Sequence, residues 1–145
     1  MKRFATVFLS MACACALAQM TPTGLWKTID DDGKTEKSLV RISETGGVYS
    51  GAIEKIFDTA KQDSKCEKCS DERKDKPVQG LTIIRNVRQD TDDKGQWGGG
   101  DILDPKEGKV YQTRLKPVEG GKKLEVRGYV GAPLFGRTQV WQRVE

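Results

Sequence analysis

The chain contains no histidine among its 145 residues. This absence excludes Ser-His-Asp and Cys-His catalytic machinery, and it excludes every metal site that needs an imidazole ligand. Few enzymes work entirely without an imidazole side chain. We therefore expect a protein that is not an enzyme, with no catalytic residues, no bound metal and no other cofactor.

An excess of charge of one sign is also missing. The chain has 25 Lys and Arg residues against 21 Asp and Glu residues, a net charge of +4. Removal of a signal peptide containing Lys2 and Arg3 would lower the net charge to +2. Because the charges are spread along the chain rather than massed in one block, the sequence gives no argument for a nucleic-acid partner.

Long hydrophobic runs are absent except at the N-terminus. There, Lys2-Arg3 precedes the mostly apolar stretch Phe4–Ala18, which ends in Ala-Leu-Ala, the form expected at a signal-peptidase site. The stretch is too short for a bilayer core, which needs about 20 residues. We expect a signal peptide at residues 1–18, cleavage after Ala18, a periplasmic or secreted product, and no stable membrane insertion after cleavage. Lipid attachment at Cys15 is the alternative.

Short strand-like runs separated by turn residues fill residues 19–145, which we interpret as one domain. Asp-Gly and Asp-Pro pairs mark several of the turns. The alternation predicts strands at residues 24–28, 38–44, 48–57, 81–89, 96–103, 109–116, 123–130 and 137–144. We predict an all-β fold, a small closed antiparallel up-and-down barrel of about eight strands. A β-sandwich is the competitor, but glycines 98–100 favour the barrel because they permit sharp bends.

Residues 58–76 interrupt this pattern. Twelve of these 19 residues are charged and none is a large apolar residue, so we expect a solvated excursion that contributes no core. Cys66 and Cys69 lie in its middle. They could form a structural disulfide, a redox centre or half of a zinc site. We favour the disulfide, because the polar setting lacks a βαβ pattern and two thiols alone cannot complete a zinc site.

Four motifs, in order, resemble those of the bacterial domain-of-unknown-function family 2147. They are CEKC at 66–69, WGGGDILDP at 97–105, KVYQTRLK at 109–116 and GYVGAPLFGRTQVW at 128–141. The resemblance extends from residue 24 to residue 143. It implies an exported, lipocalin-like barrel and assigns no reaction.

The lipocalin similarity can be placed on particular residues. Gly24-Leu25-Trp26 resembles the Gly-x-Trp of the first lipocalin strand, where the tryptophan closes the base of the barrel. In lipocalins an arginine near the last strand packs across that ring, a favourable cation–π arrangement. Arg137 and Arg143 are both available for this structural role, and we favour Arg143.

Strand alternation turns several polar or aromatic residues toward the predicted interior. Arg85 shares its alternation with apolar residues of the same strand, and Gln139 shares its alternation with Trp141. A buried guanidinium must be paired, so Arg85 either meets a carboxylate such as Asp101 or binds an anionic ligand. The predicted ligand-binding residues are Arg85, Tyr49, Tyr111 and Gln139.

These observations predict a barrel that binds one small, largely apolar molecule, which could carry an acidic group, in an internal cavity of roughly a few hundred Å³. The alternative is a protein–protein or envelope interaction module. Its surface would be the 58–76 excursion or the Leu134-Phe135 tip, although we expect that tip to fold over the barrel end as a plug. A partner protein cannot be named from the sequence. Catalysis by Asp101 and Asp104 has no further support, and residues 97–101 lack the spacing of a phosphate-binding loop.

Overall fold

The structure, a computed structural model, describes residues 20–145, so the expected signal peptide lies outside the described residues. Eight strands follow one another along the chain, and their bounds differ from the predicted ones by two residues at most. They are β1 Gly24–Ile29, β2 Glu36–Thr45, β3 Val48–Ile56, β4 Thr82–Gln89, β5 Trp97–Asp104, β6 Lys109–Val118, β7 Lys123–Tyr129 and β8 Gly136–Arg143. Single 3₁₀ turns lie at Thr59–Lys61 and Glu119–Gly121. None of the helices in the described residues is long and apolar enough to cross a membrane.

The sheet closes on itself. Each strand pairs antiparallel with the next, and β1 also pairs with β8 through Trp26 opposite Arg143 and Lys27 opposite Gln142. Beyond these pairs, the backbone N–H of Leu25 donates to the carbonyl of Glu145 at 2.8 Å. The predicted closed antiparallel barrel is therefore confirmed, and the sandwich is excluded.

The up-and-down order places the connections at two ends. We call the end formed by loops 30–35, 57–81, 105–108 and 130–135 the open end, and the end formed by loops 46–47, 90–96 and 119–122 the closed end. The chain enters β1 and leaves β8 at the closed end. The tightest hairpin, Gly46-Gly47, has φ of 58° and 83°, the left-handed conformation that a two-residue hairpin turn requires.

The barrel centre is filled by side chains. Successive residues of a strand point to opposite faces, and the inward set is almost fully buried. Gly51 on β3 leaves room for side chains of the two flanking strands, because a β-carbon there would lie 3.2 Å from Ile84 Cδ1 and 3.3 Å from Ile42 Cγ1. The buried inward side chains include Trp26, Val40, Ile42, Ile53, Ile84, Leu115, Leu124, Val126 and Trp141.

Strand β4 contains an irregularity that changes its inward face. Asn86 has a left-handed φ of 60°, and the residues on either side of this distortion, Ile84 and Val87, are both fully buried. The facing strand β5 is also distorted, with a register shift between Trp97 and Gly100. A β-carbon at Gly100 would lie 2.1 Å from the Arg85 carbonyl oxygen, so the two distortions fit against each other.

Most of residues 58–76 is exposed, as expected, but the segment also packs against the outer wall and adds two cysteines to the core, which corrects the expectation that it contributes no core. Cys66 and Cys69 form a disulfide, and both residues are buried. Arg73 is only 3% exposed, and its Nη1 donates to the Thr82 carbonyl at 2.9 Å. The cysteines and one arginine supply the buried surface here, which a count of large apolar residues does not detect.

Candidate functional site

The closed end is shut by Trp26 and Arg143. The Arg143 guanidinium lies 4.2 Å from the centre of the Trp26 ring, and the ring nitrogen donates to the Pro22 carbonyl at 2.8 Å. Arg143 also donates to the carbonyls of Thr21, Thr23 and Gly121. Burial lowers the pKa of the Arg143 guanidinium. Every polar group named here is occupied within the chain, so this end has a structural role.

Gly24 is the first residue of the Gly-x-Trp motif and lies beside the end of the chain. Its φ is +132°, and a β-carbon there would lie 2.3 Å from the Glu145 carbonyl oxygen. Only glycine fits at this crossing of the two chain ends. The motif residues Gly24, Trp26 and Arg143 thus come together at one place, and Arg143, rather than Arg137, contacts the tryptophan.

The open end leaves part of the inner wall exposed to solvent. Inward-facing Ile102, Tyr111 and Gly128 are all partly exposed there, whereas Thr113, one inward position deeper than Tyr111 on β6, is fully buried. A β-carbon at Gly128 would have Tyr111 Cβ at 3.6 Å and Ile102 Cγ2 at 3.7 Å, so the three residues adjoin one another on the inner wall. We call this part of the open end the mouth.

Polar groups surround the mouth and form a connected set. Gln139 accepts a hydrogen bond from the buried Trp141 ring nitrogen at 3.0 Å and donates to Asp31 at 2.9 Å. Asp31 also forms an ion pair with Arg137 at 3.0 Å. The Tyr111 hydroxyl lies 3.5 Å from a carboxylate oxygen of Glu107 in the β5–β6 turn. The mouth therefore has an apolar wall and a polar, partly charged rim.

The predicted ligand-binding residues separate into three places. Tyr111 and Gln139 lie at the mouth. Tyr49 lies toward the closed end, in an edge-on contact with Trp97 at 6.1 Å between ring centres. Arg85 lies on the outer face of β4. The sequence missed two residues of the mouth, Ile102 and Arg137; the alternation that selected Gln139 from Trp141 also includes Arg137 and could have found it.

The inward orientation predicted for Arg85 is wrong. Its neighbour Ile84 is fully buried in the interior, so Arg85 points outward, and it pairs with Glu72, with Asp71 at 3.5 Å and with Asp101 at 3.6 Å. The irregularity at Asn86 is the reason, because it lets Ile84 and Val87 both face inward. Arg85 holds the 58–76 segment against the wall and is not retained as an anchor for a ligand inside the barrel.

The same outer cluster contains a second arginine. Arg73 binds Asp71 through Nε and Nη2, the latter at 2.6 Å, and its hydrogen bonds lower the pKa of Asp71 to about 2. The disulfide lies nearby, with Cys66 Sγ 3.6 Å from the Pro105 carbonyl oxygen. Ion pairs and the disulfide together fix the long β3–β4 connection beside the open end.

One further expectation changes. Leu134 and Phe135 do not form a plug: their exposed fractions are 81% and 71%. Two pockets of the described residues open on the outer wall, and the side chains at the barrel centre are buried. In the same residues, no group of three or more histidine, cysteine, aspartate or glutamate side chains is placed to hold a metal ion.

Comparison with known proteins agrees with this architecture. Residues 24–143 match the family described as "Uncharacterized protein conserved in bacteria (DUF2147)". The chain belongs to this family. No curated protein matches it. Among solved structures, it is similar to protein HP1028 from the human pathogen Helicobacter pylori, described as belonging to the lipocalin family, with a TM-score of 0.73 and 19% identity over 86% of this chain and 84% of that one. At this identity the likeness establishes the lipocalin-like fold alone.

Proposed function

We propose that this DUF2147 protein is an exported, non-enzymatic binder of one small, largely apolar molecule at the mouth of its barrel. The observation that carries the proposal is the contrast between a closed end shut by Trp26 and Arg143, which donate to backbone carbonyls, and an open end whose inner wall is partly exposed. The N-terminal sequence supports export. The lipocalin-like fold supports a ligand in the barrel opening, since the mouths of β-barrels are frequent sites for small molecules.

The packed centre limits how deeply such a molecule could enter. Thr113 and Trp141 are buried beneath the mouth and would form the floor of the site. The apolar part of the ligand would contact Ile102, Gly128 and the ring of Tyr111. A polar or acidic end would remain at the rim, near Gln139 and Arg137. Binding would therefore favour a short apolar chain or ring carrying one polar end.

A blocking substitution tests the proposal. Gly128→Leu would place a side chain into the mouth, and its β-carbon meets only ordinary contacts at 3.6 Å or more. A matched control is Gln112→Leu, which adds the same side chain to the exposed outer face of β6. The probe is a dansylated eleven-carbon fatty acid, measured by fluorescence titration on protein first stripped of bound lipid.

We expect Gly128→Leu to weaken binding of this probe by about tenfold or more, equivalent to the loss of ~1.4 kcal/mol of binding free energy. Gln112→Leu should bind as the parent protein does. Equal binding by the two variants, or no saturable binding by the parent protein, would contradict the proposal.

A second candidate function is interaction through the Leu134-Phe135 tip, and its marked exposure is the observation that favours it. Arg127 holds the tip in shape by donating to the carbonyl of Pro133 at 2.6 Å and to the hydroxyl of Thr138 at 2.8 Å. An apolar surface held in a fixed conformation and left uncovered is typical of a contact site. We expect Leu134→Ser/Phe135→Ser to abolish sedimentation with bacterial-lipid vesicles, and Val140→Ser on the outer face of β8 to leave it unchanged. Absence of sedimentation by the parent protein would remove this candidate.

A further inference from the structure

Two of the eight arginines in the described chain differ from the other six in their side-chain contacts. Arg41, Arg73, Arg85 and Arg137 form ion pairs, while Arg127 and Arg143 donate to backbone carbonyls. Within residues 20–145, the side chains of Arg88 and Arg114 form no hydrogen bond, and no carboxylate oxygen lies within ion-pair distance of either. Guanidinium groups are strong, fork-shaped donors that normally find carboxylates or carbonyls. Both guanidiniums line the same outer-wall pocket, where Arg114 attracts the Asp90 carboxylate without forming an ion-pair contact.

This pocket is produced by the glycines of β5. Gly98 and Gly99 lie where the β5–β6 register shifts, between Arg88 on β4 and Arg114 on β6. Gly99 has a φ of +77°, and a β-carbon there would meet nothing within 4 Å. The absence of two side chains leaves an outward-facing notch with backbone at its floor. The pocket has a volume of about 610 Å³.

The pocket continues toward β8. A second depression of about 180 Å³ shares Gln96 and Arg114 with it and adds Lys116, Glu125, Arg127 and Thr138. We call the two together the outer groove. Its charged lining comprises four basic residues, Arg88, Arg114, Lys116 and Arg127, and two acidic residues, Asp90 and Glu125. The groove therefore attracts an anion, and its positive charge is modest and local.

The remaining lining indicates what carries that anion. Tyr129 supplies an aromatic ring, and Asn86, Gln89 and Gln96 supply amides. Gln89 also donates to the Lys94 carbonyl at 2.8 Å, and Gln96 contacts Asp90, so these two amides bring only part of their hydrogen-bonding capacity. Amides pair with hydroxyl groups as both donors and acceptors, and aromatic faces pack against the apolar face of a sugar ring. Polar and apolar groups of this kind, arranged along a shallow elongated groove, suit a hydroxyl-rich ligand better than a flat apolar one.

We propose that the outer groove binds an anionic saccharide, with its phosphate or carboxylate held between Arg88 and Arg114. The site lies on the outer wall, so it is separate from the mouth and does not depend on the function proposed for it. A nucleic acid is the less suitable ligand, because its affinity comes largely from contacts to several phosphates and the groove offers a net excess of only two positive charges.

The test is an NMR titration of the isotope-labelled protein with three probes. Tri-galacturonate supplies carboxylates, glucose 6-phosphate supplies a phosphate, and neutral maltotriose supplies neither. We expect one or both anionic probes to shift the amide signals of residues 96–99, 114 and 129, and maltotriose to leave them unchanged. The anionic probe with the larger shifts identifies which oxyanion the groove prefers.

Variants decide whether the groove itself is responsible. Arg114→Gln and Arg88→Gln should each weaken binding about tenfold, since each removes a charge-assisted contact. Lys55→Gln removes the same charge from exposed β3, away from the groove, and should change affinity less than about twofold. Gly98→Leu fills the notch and should abolish the shifts; the exposed Arg88→Gln keeps the test decisive if Gly98→Leu fails to fold.

Three outcomes would overturn the inference. The first is no shift with either anionic probe up to about 10 mM, the range of weak small-ligand binding. The second is equal weakening by Lys55→Gln and Arg114→Gln, which would show a general charge effect. The third is competition by a short oligothymidylate at concentrations well below those of both anionic probes.

Discussion

The two ends of this barrel are built from different interactions. At the closed end the Arg143 guanidinium lies over the buried Trp26 ring, and both side chains donate hydrogen bonds to backbone carbonyls. At the open end, side-chain ion pairs such as Arg137 with Asp31 and Arg85 with Asp71 fix the loops, while the apolar inner wall remains partly exposed. From this difference we expect the side chains of the closed end to contribute more to stability than those of the mouth.

Trp26→Ala is the change that should affect stability most. The side chain is fully buried, so its removal leaves a large cavity beneath Arg143 and should lower the free energy of unfolding by about 3–5 kcal/mol. Tyr111→Ala at the half-exposed mouth is the comparison and should cost about 1 kcal/mol. Denaturant unfolding measures both. Similar losses for the two variants would break the contrast between the ends.

Arg143→Lys should have the next largest effect. Lysine keeps a positive charge but cannot reach the same carbonyls with a planar fork, so partly buried acceptors lose their donors. We expect a loss of about 1–3 kcal/mol in the free energy of unfolding. The control is Arg137→Lys at the exposed rim, which should change stability by less than about 0.5 kcal/mol. If the control matches Arg143→Lys, the closed end has no special role.

Acid should weaken the fixation of the open end in particular. Arg73 lowers the pKa of Asp71 from 3.8 to about 2, so the stabilisation from this carboxylate is complete above about pH 4 and is lost as the pH falls toward 2. Asp71→Asn should therefore be less stable than the parent protein at pH 6, with the gap closing toward pH 2. Thermal unfolding across this range measures the gap. A gap that stays constant with pH would contradict the assignment.

The smallest effect on stability is expected at the tip. Leu134→Ser and Phe135→Ser alter side chains that are mostly in solvent, so each should change the free energy of unfolding by less than about 0.5 kcal/mol. Leu124→Ser, the same kind of change at a fully buried position of β7, should cost several times more. A large destabilisation by the tip variants would mean that the tip packs on the barrel.

Part of the candidate site could be predicted from the sequence. Gln139 and Tyr111 were found by alternation because β6 and β8 are regular through these positions. Arg85 was misplaced because Asn86 adds an irregularity that no alternation rule detects. Asparagine tolerates the left-handed region better than most residues, so an Arg-Asn-Val sequence inside a strand was the available signal.

Other features depended on contacts that no local pattern records. Arg73 is buried where it donates a hydrogen bond to the Thr82 carbonyl of β4. The exposed tip of Leu134 and Phe135 is held by the hydrogen bond from Arg127 to the Pro133 carbonyl. The outer groove is recognised by two arginines whose side chains form no hydrogen bond or ion pair. This can be seen only when the positions of all other charged side chains are known.

The sequence by itself determined the eight strands and their antiparallel order, because alternation and turn residues act over a few neighbouring residues. The Gly-x-Trp closure was implied by the resemblance to lipocalins. Only the tertiary structure decided which face Arg85 occupies and which side chains remain exposed. Those features depend on bulges that change the facing of a strand and on contacts between residues far apart in the chain. Arg85, which the sequence offered as an anchor for a ligand, is thus paired with carboxylates in the fold.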